Sequence, residues 1–303
     1  LHMLILKNPK TAVPVVLFAG LIWSFGPLVV RYMDDPQLIP WQYIFGRGST
    51  IFILLNLYLY FEEGKDFYKN YFKMGTSGLV GGSGLGVAMI CFMFSITNTS
   101  AAITLLCLAA MPFFTALLAF LFLKEKISLN VWISIIIASV GIGIMAIGNN
   151  SDTSLIGFVF GITSSVGFSV FSVSLRWRKE TPKFTTTAFA GFFCVIFASI
   201  MILSKDLVFF SSSFNSSLFS LHGTLVCLGL ILYSIGSKAI PAAELTLLSL
   251  TEVIGGIFWV WLPLFGINEI PTTNTIIGGF FLFISLTYYS LVMRWNKRYI
   301  GLN

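Results

Sequence analysis

Ten apolar stretches, each about long enough to cross a lipid bilayer, follow one another along this chain with little between them. They run at about Thr11–Met33, Leu38–Phe61, Gly75–Thr97, Thr99–Leu123, Leu129–Gly148, Thr153–Leu175, Phe184–Leu203, Ser217–Ser237, Ala239–Phe265 and Thr272–Trp295. A bilayer core about 30 Å thick needs roughly 20 apolar residues in a helix. The stretches are continuous rather than alternating, which argues against a lipid-facing β-barrel. The longest polar connection is about Glu62–Met74, too short for a soluble domain. Asn98 alone separates the third and fourth stretches, and Lys238–Pro241 the eighth and ninth, so hydropathy by itself also admits nine or eleven spans. Charge is correspondingly scarce, at 10% of the 303 residues. A soluble domain carries about 25%. That deficit excludes a cytosolic enzyme, a nucleic-acid-binding domain and a disordered chain.

The charges select among the counts. With ten spans and both termini on one side, that side receives Lys7, Lys10, Lys65, Lys69, Lys73, Lys124, Lys126, Arg176, Arg178, Lys179, Lys183, Lys238, Arg294, Lys297 and Arg298. Arg31 and Lys205 fall on the other side, and Arg47 falls inside the second span. The positive-inside rule makes the first side cytoplasmic, so an integral membrane protein with cytoplasmic termini is expected, most simply in a bacterial inner membrane. The net charge of +6 then reflects topology and calls for no nucleic-acid partner. Thr11–Met33 reads as a first span rather than a cleavable signal. Met3 reads as the natural start, with Leu1 and His2 left over from cloning. Cys91, Cys107, Cys194 and Cys227 lie singly inside spans and read as packing residues.

The chain divides into two sets of five spans, residues 1–148 and 149–303. Five is odd, so equivalent helices of the halves cross in opposite directions. A shift of the numbering supports the repeat, superposing Ala102 on Ala242, Leu105 on Leu245 and Leu108 on Leu248. Inverted repeats are a recurring plan of secondary transporters, with substrate bound near the midplane between the halves. The expected fold class is therefore an all-α membrane protein of ten transmembrane helices in two inverted five-helix repeats.

At these residues the chain resembles the EamA family of the drug/metabolite transporter superfamily. The resemblance is carried by the segment Asn98–Pro112 followed by Leu121-Phe-Leu-Lys-Glu125, and by Pro241–Glu252 followed by Phe258-Trp-Val-Trp-Leu. Trp23-Ser24, Trp41 and Arg47 also fit. The chain departs from a common family pattern in having Val253, rather than proline, after Glu252. The resemblance implies ten helices and solute movement by alternating access, and leaves the substrate class open.

Ionisable groups inside a membrane are expensive and default to functional candidates. Three remain inside the spans: Arg47, Glu244 and Glu252. Glu252 lies near the middle of the ninth span, with Ser249 about one turn earlier, and can exchange a proton or pair with a cationic substrate. Its structural alternative is a bond to another helix or a pair with Arg47. Glu244 lies eight residues earlier, about 12 Å along a helix, where an acid also suits a helix start after Pro241. Arg47 can bind a carboxylate, although Gly46 and Gly48 beside it also suggest close packing. Arg31 is expected to snorkel to the outer interface. Trp23, Tyr43, Phe94, Tyr233 and Trp259 fall inside spans and are pocket candidates, and aromatic faces suit a quaternary ammonium or a planar ring.

Small residues read as packing surfaces: Gly78, Gly82 and Gly86 in the third span, and Gly157, Gly161 and Ser165 in the sixth. Ser165, Ser169 and Ser172 share a face that can line a cavity or bond a neighbour. Pro112 is expected to kink the fourth span. His222 reads as a structural residue near the outer end of the eighth. No nucleophile–base pair, metal cluster or nucleotide-binding spacing is found, so no enzyme activity, cofactor or metal is expected.

The function expected is secondary transport of a small polar or amphipathic metabolite, an amino acid or related solute, by alternating access and with possible proton coupling. An organic cation such as a quaternary amine is the alternative substrate, with a membrane-embedded enzyme or a channel third. The partners expected are a small-molecule substrate, the lipid bilayer and protons. The oligomeric state is left open.

Overall fold

The computed structural model describes residues 9–147, 155–178 and 180–300. The sequence start, Lys7, the junction at 148–153 and Lys179 lie outside the described residues, as do the side chains of Lys10, Arg294, Lys297 and Arg298. The described residues are helices joined by short connections, without a strand. The long helices and half-helices are α1 (Pro9–Trp23), α2 (Gly26–Arg31), α3 (Pro40–Glu63), α4 (Gly75–Asn98), α5 (Ala101–Leu108), α6 (Met111–Leu118), α7 (Leu129–Ile147), α8 (Leu155–Trp177), α9 (Lys183–Ser204), α10 (Ser213–Gly236), α11 (Ala242–Leu248), α12 (Thr251–Trp261) and α13 (Thr273–Ile300). A short helix at Lys69–Lys73 lies in the polar connection after α3.

With the broken helices joined, eight helices among the described residues are long and apolar enough to cross a membrane. The apolar part of α7 is shorter, at Leu129–Ile144. Large apolar side chains stand exposed along these helices, Phe18, Ile53, Phe120, Ile200 and Phe280 among them. Such a surface is stable against lipid and costly against water. The chain is an integral membrane protein.

Three expected spans are interrupted, each for a local reason. In the fourth, α5 ends at Leu108 and α6 begins at Met111, because Pro112 has no N–H to give the Leu108 carbonyl. In the first, Pro27 has the same effect on Trp23, and the Ser24 hydroxyl takes the Leu21 carbonyl at 2.6 Å. The ninth breaks at Ser249–Leu250 without a proline. There the Ser249 hydroxyl bonds the Thr246 carbonyl at 2.8 Å, and the Thr251 hydroxyl bonds the Leu17 carbonyl at 3.1 Å and the Leu248 carbonyl at 3.3 Å. Local side-chain bonds of this kind compete with the helix ladder.

The bundle packs in a definite order. Helix α4 lies against α8 and α9, α3 against α9 and α10, α10 against α1, and α7 against α13. The half-helices meet crosswise, α5 on α12 and α6 on α11. Glycines bring some backbones into contact. A Cβ on Gly191 of α9 would stand 2.9 Å from the Gly48 carbonyl oxygen of α3, and one on Gly141 of α7 would stand 2.6 Å from the Gly278 carbonyl oxygen of α13. The stripe of Gly78, Gly82 and Gly86 receives Thr186, Phe189 and Phe193 of α9, as a packing surface should. The serines of α8 serve as ties between helices. Ser165 bonds the Cys107 carbonyl, Ser169 bonds that of Met111 at 3.1 Å, and Ser172 meets the Tyr233 hydroxyl at 2.6 Å.

Candidate functional site

The breaks in the first, fourth and ninth spans border one cavity in the bundle. Trp23 closes α1 beside the first break, Leu108 and Met111 flank the second, and Glu252 follows the third in the first turn of α12. The α4 wall is Leu85, Ala88, Met89 and Phe92, and the remainder is mainly apolar. Four polar or charged side chains reach it: Arg47, Ser164, His222 and Glu252.

Arg47 is held from behind. It is 3% exposed, its Nη1 donates to the Tyr43 hydroxyl at 2.9 Å, and its Nη2 donates to the Met89 carbonyl at 2.7 Å. The guanidinium also lies 4.9 Å from the Tyr43 ring centre and 5.9 Å from that of Phe92. The Tyr43 hydroxyl, which accepts from Arg47, also shares a hydrogen bond with Nδ1 of His222. Gly26 makes room for that ring, because a Cβ there would meet Nε2 at 2.6 Å. Arg47 has no carboxylate partner among the described residues.

Glu252 is half-buried, and among the described residues its carboxylate has neither a hydrogen-bond nor an ionic partner. The expected pair between Glu252 and Arg47 is thus not formed, although both face the same cavity. A buried charge without a partner costs several kcal/mol. A carboxyl group and a guanidinium without an ionic partner, both lining one mainly apolar cavity, are the site's defining feature.

Trp23, Arg47 and Glu252 of the expected site residues line the cavity. Tyr43 supports it through Arg47. Tyr233 lies one layer further out, its ring 5.5 Å from Trp23 and 5.2 Å from Phe168, with its hydroxyl on Ser172. Ser249 is buried in the break, its hydroxyl spent on the Thr246 carbonyl. Phe94 is stacked on Phe160 at 5.2 Å and set edgewise to Trp41 at 5.0 Å, away from the cavity. Trp259 stacks on Phe25 at 4.6 Å and donates to the Ser24 hydroxyl at 2.8 Å, in a satellite core with Leu28 and Val260. Glu244 accepts from the Tyr289 hydroxyl and lines a separate pocket with Glu125, Lys126 and Arg176.

His222, expected as a structural residue near the end of its span, lies within α10, bonds the Tyr43 hydroxyl and lines the cavity. Arg31, at the end of α2, pairs with Glu269 and bonds two backbone carbonyls. The pocket residues Phe92 and Phe168 were hidden among 31 phenylalanines, and only the folded arrangement separates them from lipid-facing rings.

Broken helices around a buried cavity that carries charged groups define a class, a polytopic helical membrane protein. Residues 10–147 match the model of the EamA-like transporter family, a family of the drug/metabolite transporter superfamily. A protein of Helicobacter pylori strain J99 called "Uncharacterized transporter" is 28% identical over 170 residues, 55% of this chain and 56% of its own length. A second of the same name, from H. pylori strain 26695, is 24% identical over 258 residues, 82% of this chain and 84% of its own length. The chain thus spans little more than half of the first relative. A crystal structure 17% identical to this chain has the same fold, with a TM-score of 0.66 over 95% of this chain and 99% of its own.

Proposed function

We propose that this protein is a secondary transporter carrying an amino acid or closely related zwitterion through the central cavity by alternating access. The observation that carries the reading is the pair of uncompensated charges on one mainly apolar cavity, the Arg47 guanidinium and the Glu252 carboxylate. A guanidinium grips a carboxylate in a fork, and a carboxylate takes an ammonium. A zwitterion satisfies both at once. The apolar wall of Leu85, Met89, Phe92, Met111 and Phe168 suits an apolar side chain between the two. In this reading the substrate ammonium and a proton compete for Glu252, which couples the movement of one to the opposite movement of the other.

The ten-helix, inverted-repeat arrangement belongs to the same proposal. It treats residues 1–148 and 149–303 as equivalent halves, in a bacterial inner membrane with both termini cytoplasmic. Equating α1–α2 with α8, α3 with α9, α4 with α10, α5 with α11, α6 with α12 and α7 with α13 turns each major helix contact into another. The contact of α4 with α8 becomes that of α10 with α1, α4 with α9 becomes α10 with α3, and α5 with α12 becomes α11 with α6. The breaks in the fourth and ninth spans also exchange, Leu108/Met111 for Leu248/Thr251.

An organic cation is the second reading, favoured by Glu252 beside Trp23, Phe92 and Phe168. Uptake of labelled leucine, phenylalanine and choline into proteoliposomes, under an imposed proton gradient, separates the two. Saturable amino-acid flux that dissipates the proton gradient, and loses that coupling in Glu252→Gln, is expected. Choline flux with no amino-acid flux would replace the first reading by the second. If Glu252→Gln leaves amino-acid flux and its coupling unchanged, the role given to this carboxylate is wrong.

A further inference from the structure

Two cation–carboxylate clasps stand at opposite ends of the span Ala101–Leu123, which at 23 residues is about 34 Å long. At its start, Arg31 pairs with Glu269 at 3.2 Å and donates to the Ile96 carbonyl at 3.0 Å and the Thr99 carbonyl at 3.2 Å. Just past its end, Arg176 pairs with Glu125 at 2.8 Å and donates to the Ser237 carbonyl at 3.2 Å and the Ile240 carbonyl at 2.9 Å. The two are built alike. Each arginine ends the opening span of its half, and each grips two carbonyls three residues apart where the third span of that half turns into the fourth. Each takes its carboxylate from the other half, beyond the end of a broken span. Glu269 further accepts the Ala101 backbone N–H at 3.1 Å, at the first residue of α5.

We propose that Arg31–Glu269 and Arg176–Glu125 are the gating residues of the transport cycle, one clasp closing each face of the membrane over the central cavity. This rests on the alternating-access reading above. Both clasps are formed here. Opening toward one side requires the halves to part at that end. Each clasp is a link between halves at one end, so it must break for that end to open while the other holds. A partly buried clasp suits this role: the side chains are 22% and 28% exposed in one clasp and 27% and 22% in the other. Fully buried, such pairs resist breaking; fully exposed, they contribute almost nothing.

The test uses the full chain with its four native cysteines replaced and a single reporter, Val226→Cys, on the cavity wall. A membrane-impermeant thiol reagent is applied to right-side-out and to inside-out vesicles. With cytoplasmic termini, Glu269→Gln is expected to raise labelling from outside by about fivefold or more, and Glu125→Gln to raise it from inside by a similar factor. Arg31→Glu combined with Glu269→Arg should bring the outside labelling back, which separates a lost clasp from a damaged fold. Unchanged labelling in both single variants, or a rise from the same face in both, would overturn the assignment. Labelling needs no substrate, so a negative flux assay with amino acids condemns the substrate reading and leaves this result to stand or fall alone.

Discussion

Replacing Arg47 by glutamine tests the zwitterion reading at its most specific contact. Two of the five guanidinium donors are spent on Tyr43 and Met89, at 2.9 and 2.7 Å, so a fork remains for a substrate carboxylate. A hydrogen bond to a charged group contributes about 1.5–3 kcal/mol. At about 1.4 kcal/mol per factor of ten, Arg47→Gln should weaken amino-acid binding by about ten- to a hundredfold. Arg47→Lys keeps the charge, loses the fork and should fall between the variant and the wild type. Arg47→Gln also removes the bond to the Met89 carbonyl, which keeps its helical partner, at a cost of about 0.5–1.5 kcal/mol of stability, so thermal unfolding must be recorded beside binding. Titration calorimetry of phenylalanine and of choline into detergent-purified protein gives both affinities. The expected signature is loss for phenylalanine and retention for choline. Phenylalanine affinity within twofold of the wild type, in a variant that unfolds at a normal temperature, would refute the reasoning, because the carboxylate would then be bound elsewhere.

Gly26→Ala places a methyl group against Nε2 of His222 and should displace that ring; a lower unfolding temperature and altered histidine NMR signals are the measurements. Tyr233→Phe removes the bond to Ser172 without opening a cavity, so it should cost about 1 kcal/mol of stability and leave substrate affinity unchanged in calorimetry. Cysteines at Lys65 and Lys205 should react with impermeant reagent from opposite faces of the membrane; labelling from the same face would sink the ten-helix topology.

Much of the fold is legible in the sequence because the bilayer imposes a length. Every expected stretch that lies within the described residues is helical, and the short links at Asn98 and at Lys238–Pro241 separate distinct helices. Pro112 reveals its own break. The break at Ser249–Leu250 is not readable, since it arises from hydroxyl-to-carbonyl bonds that many unbroken transmembrane helices also contain. For the site, scarcity is informative: charges within spans are so few that Arg47 and Glu252 can be singled out. Aromatic residues have the opposite property. Among so many, placement inside a span does not distinguish Trp23, which reaches the cavity, from Phe94, which packs against Phe160. The partners of Arg31 and His222, Glu269 and Tyr43, are distant in sequence, and only the tertiary fold brings them together.

The glycine contacts of α3 with α9 and of α7 with α13 bear on how such a molecule can move. Where two backbones touch, there is no layer of side chains to shear or compress, and the pair keeps its spacing while its tilt remains free. In the proposed alternating-access cycle, Gly48 against Gly191 and Gly141 against Gly278 would act as bearings between the proposed halves. From the middle of a 23-residue helix to its end is about 17 Å, and a tilt of about 10° moves that end by about 3 Å. That displacement is enough to pull an ion pair apart at one end while compressing the other. A substitution as small as alanine at Gly191 or Gly141 would jam the bearing, leaving the cavity and its charges intact and the protein unable to turn.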